Sequence, residues 1–302
     1  MNGKNLVINL NKPKGITSQQ AVTKVKKLFA ARKAGHAGTL DPIATGILLV
    51  CLNEATKITR FLADADKEYL AMMKLGERTD TLDCEGKIIY KAPHFTLDKN
   101  LIETVLERFR GNIEQIPPMY SAIKVAGKPL YKLARKGIEV ERQHRSVNIY
   151  KLDIIGFVPP FLEIRVLCSK GTYIRTLCDD IGTALGIGAH VVELKRTKIG
   201  DFMLEDSADL DELPHKEKSV CSIDASLNHL KDIILSSCDF IRMANGAVIE
   251  WGEGQATFFG KKVACPLPAD SYLRLKNPDG KLFAIGKSTG SGIKVERLLH
   301  IL

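Results

Sequence analysis

Apolar positions along the chain switch between a period of two and a period near 3.6, and each switch marks an element. Residues 5–13, NLVINLNKP, read as a short strand that stops at a proline turn. Thr17 and Gln20 then have the spacing of a capping box, and Val22, Val25 and Phe29 fall on one helical face. Arg32 and Lys33 are expected to close that helix near Gly35, where cations suit its negative end. GILLVCLN, residues 46–53, is a continuous apolar run of strand length, followed by a short helix from about Glu54 to Leu62. Tyr69, Ala71, Met73 and Leu75 alternate with Leu70, Met72 and Lys74, as a strand would. KIIYKA (87–92) reads as another strand, and Asp98 can cap a helix carrying Ile102, Val105, Leu106 and Phe109, with Gly111 past its end. FLEIRVLCS (161–169) alternates again. The chain then turns at Gly171 into a helix ending at Gly186, and HVVELKRT (190–197) follows as a strand. Strands and helices mix without a regular βαβ repeat, which predicts an α+β fold with a largely antiparallel central sheet flanked by helices.

Past residue 200 the texture changes. An acidic connector, DFMLEDSADLDEL, leads to short β-like pieces: GAVIEW (246–251), ATFFG (256–260), YLRLK (272–276) and KLFAIG (281–286). Turns such as NPDG separate them, so a small β-barrel-like domain is expected at residues 229–302, after a larger domain at 1–228. A length of 302 residues suits this division into one large and one small domain.

Charge alters this picture more than composition does. Residues 1–60 hold ten Lys or Arg against two acids, Asp41 and Glu54, which accounts for most of the net charge of +9. A second basic stretch carries Lys124, Lys128, Lys132, Arg135, Lys136, Arg142 and Arg145 against Glu139 and Glu141. Residues 201–232, by contrast, carry nine acids and three lysines. Such segregation fits either a polyanionic partner, nucleic acid foremost, or a solvated lysine-rich surface. Seven cysteines, odd in number and without C-x-x-C spacing, disfavour zinc and a disulfide framework and point to the cytoplasm. No apolar run suits a signal peptide or a membrane span.

The sharpest chemical signal is GHAGTLDPIATG, residues 35–46, in which three glycines and a proline shape a loop around one carboxylate, Asp41. An aspartate held this way can be a nucleophile or a general base, or Asp41-Pro42 can be a simple turn. Tyr173 and Arg175 sit at a strand-to-helix turn, where Arg175 could grip a buried carboxylate bidentately or lie on the surface. Tyr69 reads as a core aromatic or a ring facing a bound base, and His36 as a structural histidine or one that stacks on a nucleobase. RTDTLDCEG (78–86) lacks the oxygen-ligand spacing of a calcium site and reads as a polar turn. No P-loop or G-x-G-x-x-G turn opens a helix. A pure RNA-binding protein and a carboxylate-dependent hydrolase are the rival classes. The first would have no use for a nucleophile paired with arginine, a pairing that only a family resemblance implies, and the second normally needs a second catalytic acid.

These residues resemble the bacterial tRNA pseudouridine-55 synthases. GHAGTLDPIATG matches the catalytic motif of that family, DKEYLAMMKLGERTDTLDCEG its second motif, and CSKGTYIRTLCDDIG with GAHVVELKRTKIG its third. QIPPMYSAIKVAGKPLYKLARKGIEVERQHR resembles its RNA-gripping insertion, at about residues 117–146. The resemblance covers residues 5–200 and is looser at the C-terminus, where the family carries a small RNA-binding barrel of the PUA type. It implies the pseudouridine synthase fold and isomerisation of a T-arm uridine of tRNA, with no cofactor and no metal. It further implies that Asp41 is the nucleophile, attacking C6 of the base or C1′ of the sugar, and that Arg175 pairs with Asp41. Tyr69 would stack on the uracil and assist removal of its C5 proton, while His36 would fill the space left by the flipped nucleotide. Tyr173 and Leu194 would contact the nucleotide, and Lys124, Lys128, Lys132, Arg135 and Lys136 would grip the RNA.

Overall fold

The computed structural model describes residues 4–125, 127–213, 215–250, 256–258, 261–263, 268–289 and 291–300. Its centre is a ten-stranded sheet. The main path runs Val220–Ser222, Leu6–Lys12, Thr45–Leu52, Ala189–Ile199, Lys67–Leu75, Phe161–Cys168, Arg145–Val158, Gly111–Gln115. Ala34–His36 pairs with Thr45–Leu52, and Phe202–Met203 with Ala189–Ile199. All neighbours are antiparallel except Thr45–Leu52 beside Ala189–Ile199, where Lys195 faces Thr45 and Arg196 faces Gly46. At that junction Gly46 has φ +95°, and a Cβ there would lie 2.2 Å from the Arg196 carbonyl oxygen, so only glycine lets the two strands meet.

Both faces of the sheet are covered near this junction, which explains the unbroken apolar run of Thr45–Leu52. Leu48, Val50 and Leu52 join Ala21, Val22 and Val25 of helix Ser18–Leu28, together with apolar residues of helices Lys99–Glu107 and Ile174–Ala184. On the opposite face Ile47, Leu49 and Cys51 join Ile58, Phe61 and Leu62 and, from the C-terminal sheet, Leu282, Ile285 and Leu299. Lys67–Leu75, by contrast, alternates buried and half-buried positions along its whole length, as its sequence pattern predicts.

The capping box forms: Gln20 N donates to Thr17 Oγ1 at 3.1 Å and Thr17 N to Gln20 Oε1 at 2.8 Å. The helix it starts ends earlier than expected, at Leu28, so Lys26 and Lys27 rather than Arg32 and Lys33 occupy its last turn. Arg32 N and Lys33 N instead donate to Asn53 Oδ1, which turns the chain into strand Ala34–His36. Strands Gly111–Gln115 and Arg145–Val158 escape the sequence pattern. Register shifts between Ile149 and Lys151 and between Ile154 and Gly156 break the alternation of the longer strand.

The C-terminal residues form a second sheet, ordered Lys231–Ile234, Tyr272–Lys276, Leu282–Ser288, Gly292–Leu298, Ile249–Glu250. Lys231–Ile234 and Gly292–Leu298 were not among the expected pieces, nor was helix Ser237–Ala244, capped by Ser236. Ala256–Phe258 and Lys261–Val263 pair as a separate two-stranded antiparallel sheet. Trp251, Phe259, Gly260 and Cys265 lie outside the described residues. The second sheet is fastened to segment 53–63 by an edge-on contact of Phe61 with Tyr272, 4.9 Å between centroids, and by an Arg60–Glu296 ion pair.

Candidate active site

Asp41 sits in a loop tied down from three sides. Leu40 N donates to Ser18 Oγ at 2.8 Å, and that hydroxyl donates to Leu40 O at 2.9 Å. Gly15 N reaches Pro42 O at 2.8 Å. Buried Lys12 directs its ammonium to Pro13 O and Ile16 O at 2.8 and 2.9 Å and to Pro42 O at 3.5 Å. From beneath, Arg196 donates to Ile47 O at 2.8 Å, Gly38 O at 3.1 Å and Thr39 O at 3.4 Å. The loop is rigid because its carbonyls are taken up by two buried cations, and Gly38 at φ +98° makes the turn that presents them.

Arg175, the second residue of helix Ile174–Ala184, approaches Asp41 through Nε, 2.8 Å from Oδ2. The bidentate grip anticipated from the sequence is not made. Arg175 is buried, and its remaining donors are used elsewhere: Nη1 reaches Thr81 O at 2.9 Å and Asp83 Oδ2 at 3.2 Å, and Nη2 reaches Tyr120 O at 2.8 Å. Asp83 is fixed in turn by Thr81 Oγ1 at 2.6 Å and Glu85 N at 3.1 Å, both to Oδ1. Segment 78–86, read from sequence as a polar turn, thus delivers a buried second carboxylate to the site. The guanidinium is immobilised on four sides and Asp41, about a third exposed, is held at one oxygen. That geometry holds Asp41 at the wall of the cleft.

The cleft has a volume of about 270 Å³, and Asp41, Tyr69, Tyr173, Arg175, Leu194 and Arg196 line it. Five of these six were singled out from the sequence. Burial raises the pKa of Tyr69, so its phenol stays protonated at neutral pH. Tyr173 precedes the helix at its N-cap position, and buried Gln115 clamps its backbone, accepting from Tyr173 N at 3.0 Å and donating to Tyr173 O at 3.3 Å. His36 is half-buried on strand Ala34–His36 and lies outside the cleft lining. Burial first, and then the charge of Arg196, lowers its pKa, leaving a neutral imidazole whose Nδ1 has no partner.

Between strands Gly111–Gln115 and Arg145–Val158 the chain makes a hairpin, Lys124–Val125 with Lys128–Pro129, and a short helix, Leu130–Ala134. Ser121 and Ala122 of this excursion line the cleft. Lys124, Lys128, Lys132, Arg135 and Lys136 do not; all five are exposed on the excursion beyond it. Sequence reasoning missed Arg196, Lys12, Asp83, Gln115 and Lys67, the last a buried lysine that also lines the cleft. One signal was available for the first: Arg196 stands two residues after Leu194 on a strand and so shares its face.

A tightly held loop thus presents an arginine-contacted carboxylate at a cleft, and a basic excursion lies beside it, an arrangement that suits a nucleic-acid substrate. The TruB family pseudouridylate synthase N-terminal domain matches residues 26–174, and the tRNA pseudouridylate synthase B C-terminal domain matches residues 175–236. A tRNA pseudouridine synthase B of Haemophilus influenzae (strain PittEE) is 42% identical over 295 residues, covering 97% of this chain and 94% of the relative. One of Clostridium tetani (strain Massachusetts / E88) is 40% identical over 301 residues, covering 99% and 100%. Among solved structures, a Cbf5-Nop10-Gar1 complex matches with TM-score 0.74 at 27% identity, over 97% of this chain and 84% of the other. An H/ACA RNP bound to a substrate RNA containing 2'-deoxyuridine matches with TM-score 0.73 at 26% identity, over 97% and 84%. The chain belongs to the TruB family of pseudouridylate synthases, as its motifs indicated. No described helix is long and apolar enough to cross a membrane.

Proposed function

We propose that this pseudouridine synthase acts on tRNA, at uridine 55 of the T-arm loop, with Asp41 as the nucleophile. The observation that carries the reading is the 2.8 Å contact of Arg175 Nε with Asp41 Oδ2, in a cleft walled by Tyr69, Tyr173 and Leu194. A duplex-embedded base cannot reach this carboxylate, so the target nucleotide leaves its stack and enters the cleft. Asp41 attacks C6 of the base or C1′ of the sugar. The N1–C1′ bond breaks, the base turns, C5 bonds to C1′, the C5 proton departs and N1 gains a proton. Atoms and electrons balance within the nucleotide, so the reaction calls for no oxidant, reductant or further reactant.

The other roles are those that the family resemblance implies. Tyr69 stacks on the uracil, Tyr173 and Leu194 hold the nucleotide, and His36 fills the space the nucleotide vacates. Lys124, Lys128, Lys132, Arg135 and Lys136 grip phosphates of the T-arm, and residues 229–302 form a PUA-type RNA-binding unit attached to a catalytic unit at 1–228. The enzyme works in the cytoplasm without an obligate protein partner. Tritium release from C5-tritiated uridine in a T-arm transcript tests the reading. Release of one equivalent per hairpin is expected, and a transcript labelled only at other uridines should stay silent. Equal release from both would overturn the assignment of the target.

A further inference from the structure

Arg196 is 1% exposed and among the largest fully buried side chains of the protein. The other buried arginines on functional or structural networks, Arg175 and Arg274, each lie within ion-pairing distance of carboxylates. Among the described residues no carboxylate lies that close to Arg196. Its partners are two loop carbonyls, Gly38 O and Thr39 O, the strand carbonyl Ile47 O and, at 3.5 Å from Nη1, the hydroxyl of Tyr69, whose ring centroid is 6.0 Å from the guanidinium carbon. A buried unpaired cation is costly to keep and is expected where negative charge arises during function. The field of this cation reaches its neighbours, helping burial to lower the pKa of both His36 and Lys67.

We infer that Arg196 is a positioning residue of the isomerisation, turning the Tyr69 hydroxyl into a donor toward the negative charge that develops on the uracil. The inference rests on the assignment of Tyr69 to the base and deepens it. Attack at C6 pushes the C5–C6 electron pair toward O4 as an enolate, whereas attack at C1′ releases the base with the N1–C1′ pair as a uracil anion. On either route Asp41 loses its charge and the ring acquires it. Because Tyr69 Oη accepts from Arg196 Nη1, its own proton is free to be donated to the ring, and the guanidinium behind it favours that polarisation. A phenol kept neutral by burial meets the need for a donor.

The competing account is that Arg196 merely holds the Asp41 loop through Gly38, Thr39 and Ile47. A double-mutant cycle separates the two. Single-turnover rates are measured with enzyme in excess over a C5-tritiated T-arm hairpin for wild type, Arg196→Lys, Tyr69→Phe and the double variant, with thermal melting to verify folding. Each single change is expected to slow the reaction about ten- to a hundredfold with hairpin affinity unchanged. The double variant should be within about threefold of the slower single one, because both changes remove the same polarised donor. A double variant slowed by the product of the single effects would overturn the inference. If Arg196→Lys fails to fold, Tyr69→Phe decides alone, since a rate within about twofold of wild type would leave the hydroxyl, and Arg196 behind it, with no part in the reaction. No release by wild-type enzyme would instead overturn the substrate reading, and the inference with it.

Discussion

Two cationic regions of this protein differ in nearly every physical respect. Beneath the loop that carries Asp41, Lys12, Arg175 and Arg196 are buried, and each is held by backbone carbonyls or carboxylates at defined distances. On the excursion between strands Gly111–Gln115 and Arg145–Val158, Lys124, Lys128, Lys132, Arg135 and Lys136 are exposed, and none makes an ion pair among the described residues. Arg135 does lie over the ring of Tyr131, at 5.6 Å. The buried set cannot move without disturbing a loop, so it fixes geometry and local potential. The exposed set keeps its rotameric freedom and its counterions, and it gains by exchanging those counterions for phosphate. One charge type therefore serves two purposes, and burial decides which.

The comparison is broken most completely at Asp41. Asp41→Asn preserves shape and hydrogen-bonding capacity but removes the anion, so tritium release should fall to background while T-arm affinity survives. Turnover at a substantial fraction of the wild-type rate would show that the carboxylate is not the nucleophile. Next in size is the ion network behind it. Arg175→Lys keeps the charge but cannot reach Asp41, Thr81, Asp83 and Tyr120 together, and a loss of ten- to a thousandfold in kcat is expected on the order of other misplaced or unsupported nucleophiles. Asp83→Asn weakens one anchor only, so a loss of about tenfold is expected. Single-turnover rates beside a filter-binding titration check both, and a fall in affinity with an intact rate would place these residues in RNA binding instead.

Exposed cations should give the opposite pattern. Glutamine at Lys128, Lys132, Arg135 and Lys136 together should weaken T-arm binding and make the slope of log affinity against log salt shallower by about 3, near 0.7–0.9 per phosphate contact. The rate under saturating RNA should hold. An unchanged slope would mean that these charges only solubilise the protein.

The smallest effect is on stability. Burial lowers the pKa of Lys67 to about 8 from an ordinary 10.5. Between those values the unfolded chain holds the proton more tightly than the folded one, so stability rises with pH across that window; below it both states are protonated and the burial penalty is fully present. The stability of wild type relative to Lys67→Met, measured by urea denaturation, should increase between about pH 8 and about pH 10.5. A constant difference would contradict the burial of this ammonium.

Much of the local structure was legible because its causes are local. Thr17 and Gln20 cap a helix three residues apart, Asp98 Oδ1 accepts from Asn100 N two residues on, and Tyr69 to Leu75 alternate in one strand. The Asp41 loop was legible for the same reason, its glycines and proline constraining the backbone within twelve residues. Arg145–Val158 was not, since its bulges shift the inward face partway along the strand. Asp83 looked like any acid in a polar turn, and nothing local says that a guanidinium 92 positions away will descend on it.

By itself, then, the sequence determined the loop that carries Asp41, the strand that carries Tyr69, the helix that carries Arg175 and the segregation of basic charge. Periodicity, capping and backbone restriction act over a few residues and leave their mark in the order of letters. Tertiary structure alone decided that strands Thr45–Leu52 and Ala189–Ile199 meet in parallel, that Arg196 bonds the carbonyl of Ile47, 149 positions earlier, and that the C-terminal sheet shares a core with segment 53–63. Those outcomes depend on sheet order and register. Both are set by the summed burial of many side chains rather than by any neighbouring few, and so a buried cation and its partners become visible only once the strands are in place.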